Sequence, residues 1–501
     1  MTDREAGPRA GAGSEGFDRR LIPPMMLGSI LNPVNSTIVA VALIPIGAAF
    51  GEPPSQTAWL VSALYLATAL GQPVTGRLID IFGPRTLFLA STSLVGVAGV
   101  IGAVAPSLGV LIAARVLLGF GTCSGYPAAM ALLRSEARRT GRDSPAGVLT
   151  ALAVSTQTIS IIGPLLGGLL IGLGGWRSTL AINIPLAVAG VILGLRIPRH
   201  AALDNAAPDN AALDNAAPDN AAPDNAARAG AARDGNPRGR LTTLIDLPGM
   251  ALFAAMLVAL LLFLMSLRLA SWYLLAIAAA AGACFTLREL RAATPFIDLR
   301  VLGGNGPLLA TYARALVAYT VSYSFLYGFT QWTEEGFGLS PFKAGLVQIP
   351  MFIVGIGVAT LTGRHKGVFG KLLLGSVFQI GACSLMLTLT AASPLWSLVA
   401  LAVVFGIPQG SNSLALQNSA YFQADPERVG SSAGLLRTFG YMGSMIASSA
   451  TAASFGQRAS TAGMHHLAWI MLGAGVLYLL ITVFDRSLPR LSTQPAAGET
   501  R

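Results

Sequence analysis

Charge is scarce in this chain: Asp, Glu, Lys and Arg together supply 11% of 501 residues, where a soluble surface needs roughly 25%. With 53% of residues hydrophobic and a mean hydropathy of +0.63, water is excluded as the main solvent. Cysteine is rarer still. Cys123, Cys284 and Cys383 each sit in an apolar run, which excludes a disulfide scaffold and makes all three read as small buried hydrophobes. The net charge of +10 and pI near 9.9 do not mark a nucleic-acid binder, because the basic residues stand singly between apolar blocks rather than in a patch. They read as topology signals. No apolar stretch occurs before residue 20, unlike a cleavable signal peptide. An enzyme would need a His, acid or metal cluster inside the apolar blocks, and the sequence offers none, so no cofactor is expected.

What is present is apolar length. Each helical crossing takes about 20 apolar residues, and blocks of that size run near 24–48, 57–76, 86–105, 108–132, 146–172 and 178–197. After a break they resume at 247–267, 271–287, 308–331, 342–361, 371–391, 394–418, 431–455 and 466–484. The close divisions at 105/108, 267/271 and 391/394 are the weakest of these fourteen. If the N-terminus faces the cytoplasm, twenty-six of the 33 Lys and Arg fall on that side. Four fall outside (Arg177, Arg268, Lys343, Arg458), and Arg115, Arg314 and Arg437 lie within spans. That asymmetry predicts a multi-pass protein of the cell membrane with both termini cytoplasmic. Between the sixth and seventh blocks, residues 201–225 repeat a five-residue unit five times (AALDN or AAPDN), a composition that reads as flexible linker.

Four short motifs follow one another along the first half. Gly76, Arg77, Leu78, Ile79, Asp80, Ile81, Phe82, Gly83, Pro84 and Arg85 form a short loop in which glycines permit close helix approach and an acid and arginines can latch helices together. Arg115 with Gly119 and Gly121 occupies the fourth block. Gly163, Pro164, Gly167 and Gly168 occupy the fifth, and Gly175, Trp176, Arg177 with Asn183, Ile184, Pro185 open the sixth. Together with Pro295 to Arg300 and Leu339 to Pro350, this series resembles the fourteen-span drug:proton antiporter branch of the major facilitator superfamily. The resemblance implies an all-α polytopic membrane protein. Its parts would be a tail 1–21, a six-helix bundle 22–197, a linker 198–242, two inserted helices 243–290, a second six-helix bundle 291–485 and a tail 486–501. It also implies substrate binding between the bundles near the midplane, gating by Gly76, Arg77, Asp80, Gly83, Arg85, Gly163, Pro164, Gly167 and Gly168, and a proton gradient as energy source. The partners would be a small-molecule substrate and the lipid bilayer, with the chain monomeric.

The first span departs from that pattern. The branch carries an acid where this chain has Asn35, followed by Thr37. An amide can only hydrogen-bond, whereas a carboxylate could carry a cation or proton. The acids near spans are Asp80, Asp246, Glu334, Glu335, Asp425 and Glu427, all at span ends or in loops. This favours neutral or anionic substrates, with Arg115, Arg314 or Arg437 as counter-charge, and leaves Glu334 and Glu335 as proton-coupling candidates. Arg314, near the end of its span, is expected to snorkel.

Tyr312, Tyr319, Tyr323, Tyr327 and Gln331 share one face of the ninth span at spacings of seven, four, four and four. The stripe reads as cavity lining or as helix packing. The twelfth span adds Gln409, Ser411, Asn412, Gln417 and Asn418, which suit either interhelical bonds or substrate contact. Gly430 to Gly434 spells a hydrolase elbow without its required strand, and His465 and His466 lack metal-site company. The substrate-binding set expected from all this is Asn35, Thr37, Arg115, Tyr319, Tyr323, Tyr327, Gln331 and Asn412. The function expected is export of small amphiphilic compounds by proton antiport. The alternatives are an uptake permease or facilitator of the same fold for a neutral or anionic metabolite, or a transporter-like membrane sensor.

Overall fold

The computed structural model describes residues 17–140, 146–198, 246–266, 269–292, 299–300, 304–363, 367–424, 429–485 and 487–488. The 201–225 repeat, most of both tails, residues 295–298, Arg364, Lys366, Asp425 and Glu427 lie outside them, as do the side chains of Arg77 and Asp80.

Among the described residues the chain forms fourteen helical rods and no strand. The first six are α1 (Ile22–Ile38, continued by Leu43–Phe50), α2 (Trp59–Phe82), α3 (Pro84–Ala103), α4 (Leu108–Thr122, continued by Gly125–Thr140), α5 (Ala146–Gly174) and α6 (Asn183–Leu195). Then come α7 (Leu247–Ser266) and α8 (Trp272–Arg291). The last six are α9 (Gly306–Ser324), α10 (Pro341–Gly363), α11 (Val368–Met386), α12 (Leu395–Gln423), α13 (Val429–Phe455) and α14 (Thr461–Phe484). Apolar runs favour helix because in lipid the backbone must satisfy its own hydrogen bonds. Local residues set the ends. Ser107, Asn305 and Ser460 cap α4, α9 and α14 by accepting from Val110, Leu308 and Gly463 N–H. Gly83, at φ +79°, makes the turn that Pro84 converts into the start of α3.

Nine of the described helices are long and apolar enough to cross a membrane by themselves. Five rods, α2, α5, α7, α9 and α13, are not among them. Of these, α2, α9 and α13 carry Tyr65, Gln72, the tyrosine stripe and Arg437, which face other helices.

The rods pack as two six-helix bundles, α1–α6 and α9–α14, that meet along two seams, α5 against α10 and α2 against α13. The inserted α7 and α8 pack on each other, and α7 leans on α13. Close packing on two sides explains the glycines of the fifth block. Inside the first bundle, a Cβ at Gly167 would stand 2.8 Å from the Ile38 carbonyl of α1, and Gly163 approaches Thr37 as closely. Across the bundle boundary, a Cβ at Gly168 would stand 2.5 Å from Phe342 Cα, and one at Gly345 of α10 would stand 2.5 Å from the Pro164 carbonyl. Small residues at these points let backbones touch.

Two expectations need correction. Arg314 does not snorkel: it is fully buried and ion-paired to Asp485 at 2.8 Å, because the chain after α14 returns an acid beneath the start of α9. Cys284 is exposed on α8, unlike buried Cys123 and Cys383, since among the described residues α8 packs chiefly on α7. The inventory of acids also grows. Glu136 and Glu289 are buried, the former accepting from Asp18 N–H at 2.7 Å, and Asp246 pairs with Arg288 at 2.7 Å.

Candidate functional site

A cavity of about 480 Å³ lies between the bundles. It is bounded by the first half of α1 (Ser29, Asn32), by Gln72 of α2 and by Tyr126 of α4. From the second bundle come Tyr319 and Tyr323 of α9, Gln417 and Asn418 of α12, and Arg437, Tyr441 and Ser444 of α13. These stretches belong to the end of the molecule where Asp18, Leu195 and Asp485 lie, called here the near end, since Asp18 meets Glu136 and Arg85 meets Leu195 there.

Toward the far end the bundles are bolted shut. Tyr65 and Tyr327 share a hydroxyl hydrogen bond at 3.1 Å, and Tyr327 donates to the Ser36 carbonyl at 3.0 Å. Ser448 donates to the Ala58 carbonyl at 2.7 Å, and Ser55 N–H to the Gly456 carbonyl at 3.2 Å. The rings of Tyr319, Tyr323 and Tyr327 stack in sequence at 6.0 and 5.6 Å, and Tyr65 stacks on Tyr441 at 5.7 Å. The result is an aromatic floor closing a polar hollow.

The stripe of α9 therefore divides its labour. Tyr319 and Tyr323 line the cavity, and Tyr327 closes the floor. Tyr312 packs on Phe439 and donates to the Ser432 carbonyl. Gln331 is buried beyond the floor, its side-chain oxygen unpartnered among the described residues.

Other expected residues lie elsewhere. Asn35 is 3% exposed and exchanges hydrogen bonds with Asn183. Arg115 donates to the carbonyls of Leu60 and Asn35 at 2.9 and 3.1 Å, and with Asn35 lines only a hollow of about 10 Å³. Thr37 lines a side pocket of about 60 Å³ with Tyr323 and Gln409. Asn412 donates to Gln379 and does not line the central cavity. Of the three arginines considered as counter-charge, Arg437 alone borders the large cavity, its guanidinium 3.7 Å from the Tyr126 ring centroid.

The two candidate acids part company. Glu335 pairs with Arg458 at 3.3 Å, accepts from Ala459 N–H at 2.8 Å and borders a far-end pocket beside Glu52. Glu334 is 8% exposed, and neither carboxyl oxygen has a partner among the described residues. Both sit in a π-helical turn, Trp332–Gly336, that extends α9. Such turns interrupt helices where local geometry serves a site. Among the described residues no group of His, Cys, Asp and Glu could hold a metal ion.

Sequence reasoning missed Tyr65, Tyr126 and Tyr441. Each is a lone tyrosine in its own helix, and only the packing of three helices brings them to one place.

Two bundles meeting over a central cavity, hollow at one end and bolted at the other, define a transporter. Residues 25–448 match the model of the Major Facilitator Superfamily, and the chain belongs to that family; it is a multi-pass membrane transporter and not an enzyme. It is 27% identical to an uncharacterized transporter of this type, YwoD, of Bacillus subtilis, over 91% of this chain and 94% of that protein. It is 26% identical to the methylenomycin A resistance protein of Streptomyces coelicolor, over 92% and 90% respectively. A solved structure of a mutant of the peptide transporter POT, in complex with sulfate, superposes with a TM-score of 0.64 at 14% identity, covering 95% of this chain and 97% of that one.

Proposed function

We propose that this transporter exports small amphiphilic compounds across the cell membrane by alternating access, exchanging them for protons, as a monomer with both termini and the 198–242 linker in the cytoplasm. The observation that carries this reading is the cavity: tyrosine faces for apolar surface, Gln417, Asn418, Asn32 and Gln72 for hydrogen bonds, and bundle-to-bundle contacts closing its far end. The concentration of Lys and Arg in the tails and near-end loops supports a cytoplasmic near end. In the captured state cargo then enters from the cytoplasm, and rupture of the Tyr65, Tyr327 and Ser448 contacts would release it outside. Relatives named for resistance to methylenomycin A and to lincomycin support the outward direction. Glu334, buried and unpaired among the described residues, is the proton carrier in this scheme. In the same scheme the bundles rock on the contact of Gly168 with α10, while Gly163, Pro164 and Gly167 hold α5 close to its neighbours, and the Gly76 to Arg85 segment, which is the end of α2 and the start of α3 around Gly83 rather than the loop expected, latches the near end.

The test is transport of a panel of fluorescent amphiphiles by everted membrane vesicles. The expected result is accumulation that requires an acid interior and collapses when the gradient is dissipated. Accumulation only in right-side-out vesicles would reverse the direction, and indifference to the gradient would remove the antiport.

A further inference from the structure

We propose that the central cavity selects aromatic anions, with Arg437 as the residue that reads the charge. This deepens the export reading, on which the identification of the cavity as the cargo site rests.

The cavity has an uneven charge inventory. Arg437 borders it, and no carboxylate does among the described residues. Arg314 and Arg288 are ion-paired with Asp485 and Asp246, Arg115 donates to two backbone carbonyls, and buried Lys371 does not border this cavity. Arg437 has no such acceptor among the described residues. It rests instead on the face of Tyr126, at 3.7 Å to the centroid. A guanidinium stacked on a ring is held in orientation by cation–π attraction while its N–H edges stay free. Those edges match a carboxylate or phenolate in a planar fork.

The surroundings suit the rest of such a molecule. Tyr319, Tyr323 and Tyr441 border the same hollow and present aromatic surface, against which a flat apolar ring can stack. Half-buried between helices, the positive charge acts through less water than it would at a surface, so it attracts an anion and repels a cation more strongly there. The replacement of the first-span acid by Asn35 is consistent with this, since Asn35 and Asn183 satisfy each other and offer a cationic cargo no negative charge. A cavity of this kind ranks ligands of one shape by charge: anion first, neutral next, cation last.

The experiment is equilibrium binding to the purified full-length protein in detergent at neutral pH, with 2-naphthoate, 2-naphthamide and 2-naphthylmethylammonium as probes of one ring and three charges. Naphthoate is expected to bind about tenfold more tightly than the amide, and the ammonium more weakly than both. Arg437→Gln should erase the difference between naphthoate and naphthamide while leaving the amide's affinity in place, and Arg437→Lys should restore part of it. Equal affinities in the unmodified protein, or preference for the ammonium, would overturn the proposal without any variant. So would an Arg437→Gln protein that binds the amide normally and still prefers the acid. Binding does not depend on direction or energy source. The charge order with no gradient-driven transport would therefore sink the export reading and sustain the anion preference, and efficient export of cations would do the reverse.

Discussion

Asn35 and Asn183 clasp each other through two reciprocal amide bonds, Asn35 Nδ2 to Asn183 Oδ1 at 2.7 Å and Asn183 Nδ2 to Asn35 Oδ1 at 2.9 Å. The pair ties the middle of α1 to the start of α6, and Arg115 reaches the same point by donating to the Asn35 carbonyl. A membrane carboxylate in this place would be titratable, whereas two amides are not. The first bundle is thus held together here by neutral bonds, and its arginine is anchored on backbone.

Because each amide is the other's partner, truncating one strands the other in a buried setting. Asn35→Ala and Asn183→Ala should each lower stability by about 1–3 kcal/mol. The double variant should cost clearly less than the sum, since it leaves no orphan. Thermal unfolding in detergent of the four proteins completes the cycle, and strictly additive losses would mean that the clasp carries no coupling.

At the bundle seam, Gly168 faces Phe342 Cα at 2.5 Å and the Pro341 carbonyl at 2.7 Å from where a Cβ would stand. Neither neighbour is a flexible side-chain tip, so Gly168→Val should force α5 away from α10 and weaken the far-end closure. We expect a loss of transport of at least about tenfold, the scale of the 1–3 kcal/mol that overpacking costs, and increased thiol labelling of a cysteine introduced at Ala48, which borders the far-end pocket. Gly172, whose added Cβ would meet nothing within 4 Å, is the control. Equal effects at both glycines would assign the loss to helix propensity rather than to the seam.

The Arg314 and Asp485 pair makes a pH prediction. Burial alone would raise the Asp485 carboxyl, but hydrogen bonds from Ser487 and Arg314 outweigh it and hold the group below the usual carboxylate range. A carboxyl depressed in the folded state stabilises fully above its unfolded value, near 3.9 for Asp. The contribution fades as pH falls through the lower folded value. Stability measured in detergent should therefore be indifferent to Asp485 titration from about pH 8 to about 5 and decline below about 4. Asp485→Asn should remove that decline and cost about 3–5 kcal/mol at neutral pH by stranding a buried guanidinium. An unchanged acid limb in the variant would assign it to other carboxylates.

Much of the architecture is legible in the sequence because lipid imposes a simple rule, and apolar length finds the rods even where α3 and α4 are separated only by residues 104–107. The tyrosine spacing of α9 likewise locates two residues of the cavity, Tyr319 and Tyr323. Periodicity on one helix carries no information about its partners, however. Arg437 is visible as an arginine in a span, but its place over Tyr126 depends on α13 meeting α4 across the bundle boundary. Asp485 is hidden as Arg314's partner because 171 residues separate them. Glu334 and Glu335 look equivalent as neighbours in sequence, and only the π turn sends one inward and the other to Arg458.

That divergence yields the last prediction. Glu335 is occupied: it binds Arg458 and the Ala459 amide, fastening the loop before α14 to the end of α9. Glu334 is 8% exposed with both oxygens unpartnered among the described residues, where Gln331 and Gln348 also leave side-chain oxygens without a donor. A carboxyl with no ion pair can gain and lose a proton without breaking one, and motion of the far-end closure would change its access to water. Glu334→Gln should therefore abolish accumulation driven by a pH gradient while preserving downhill exchange of cargo. Glu335→Gln should slow transport by loosening the loop yet retain gradient dependence. Measured side by side in everted vesicles, a Glu334→Gln protein that still concentrates cargo on an imposed gradient would exclude Glu334 as the carrier. Loss of coupling in Glu335→Gln alone would transfer the role to its neighbour.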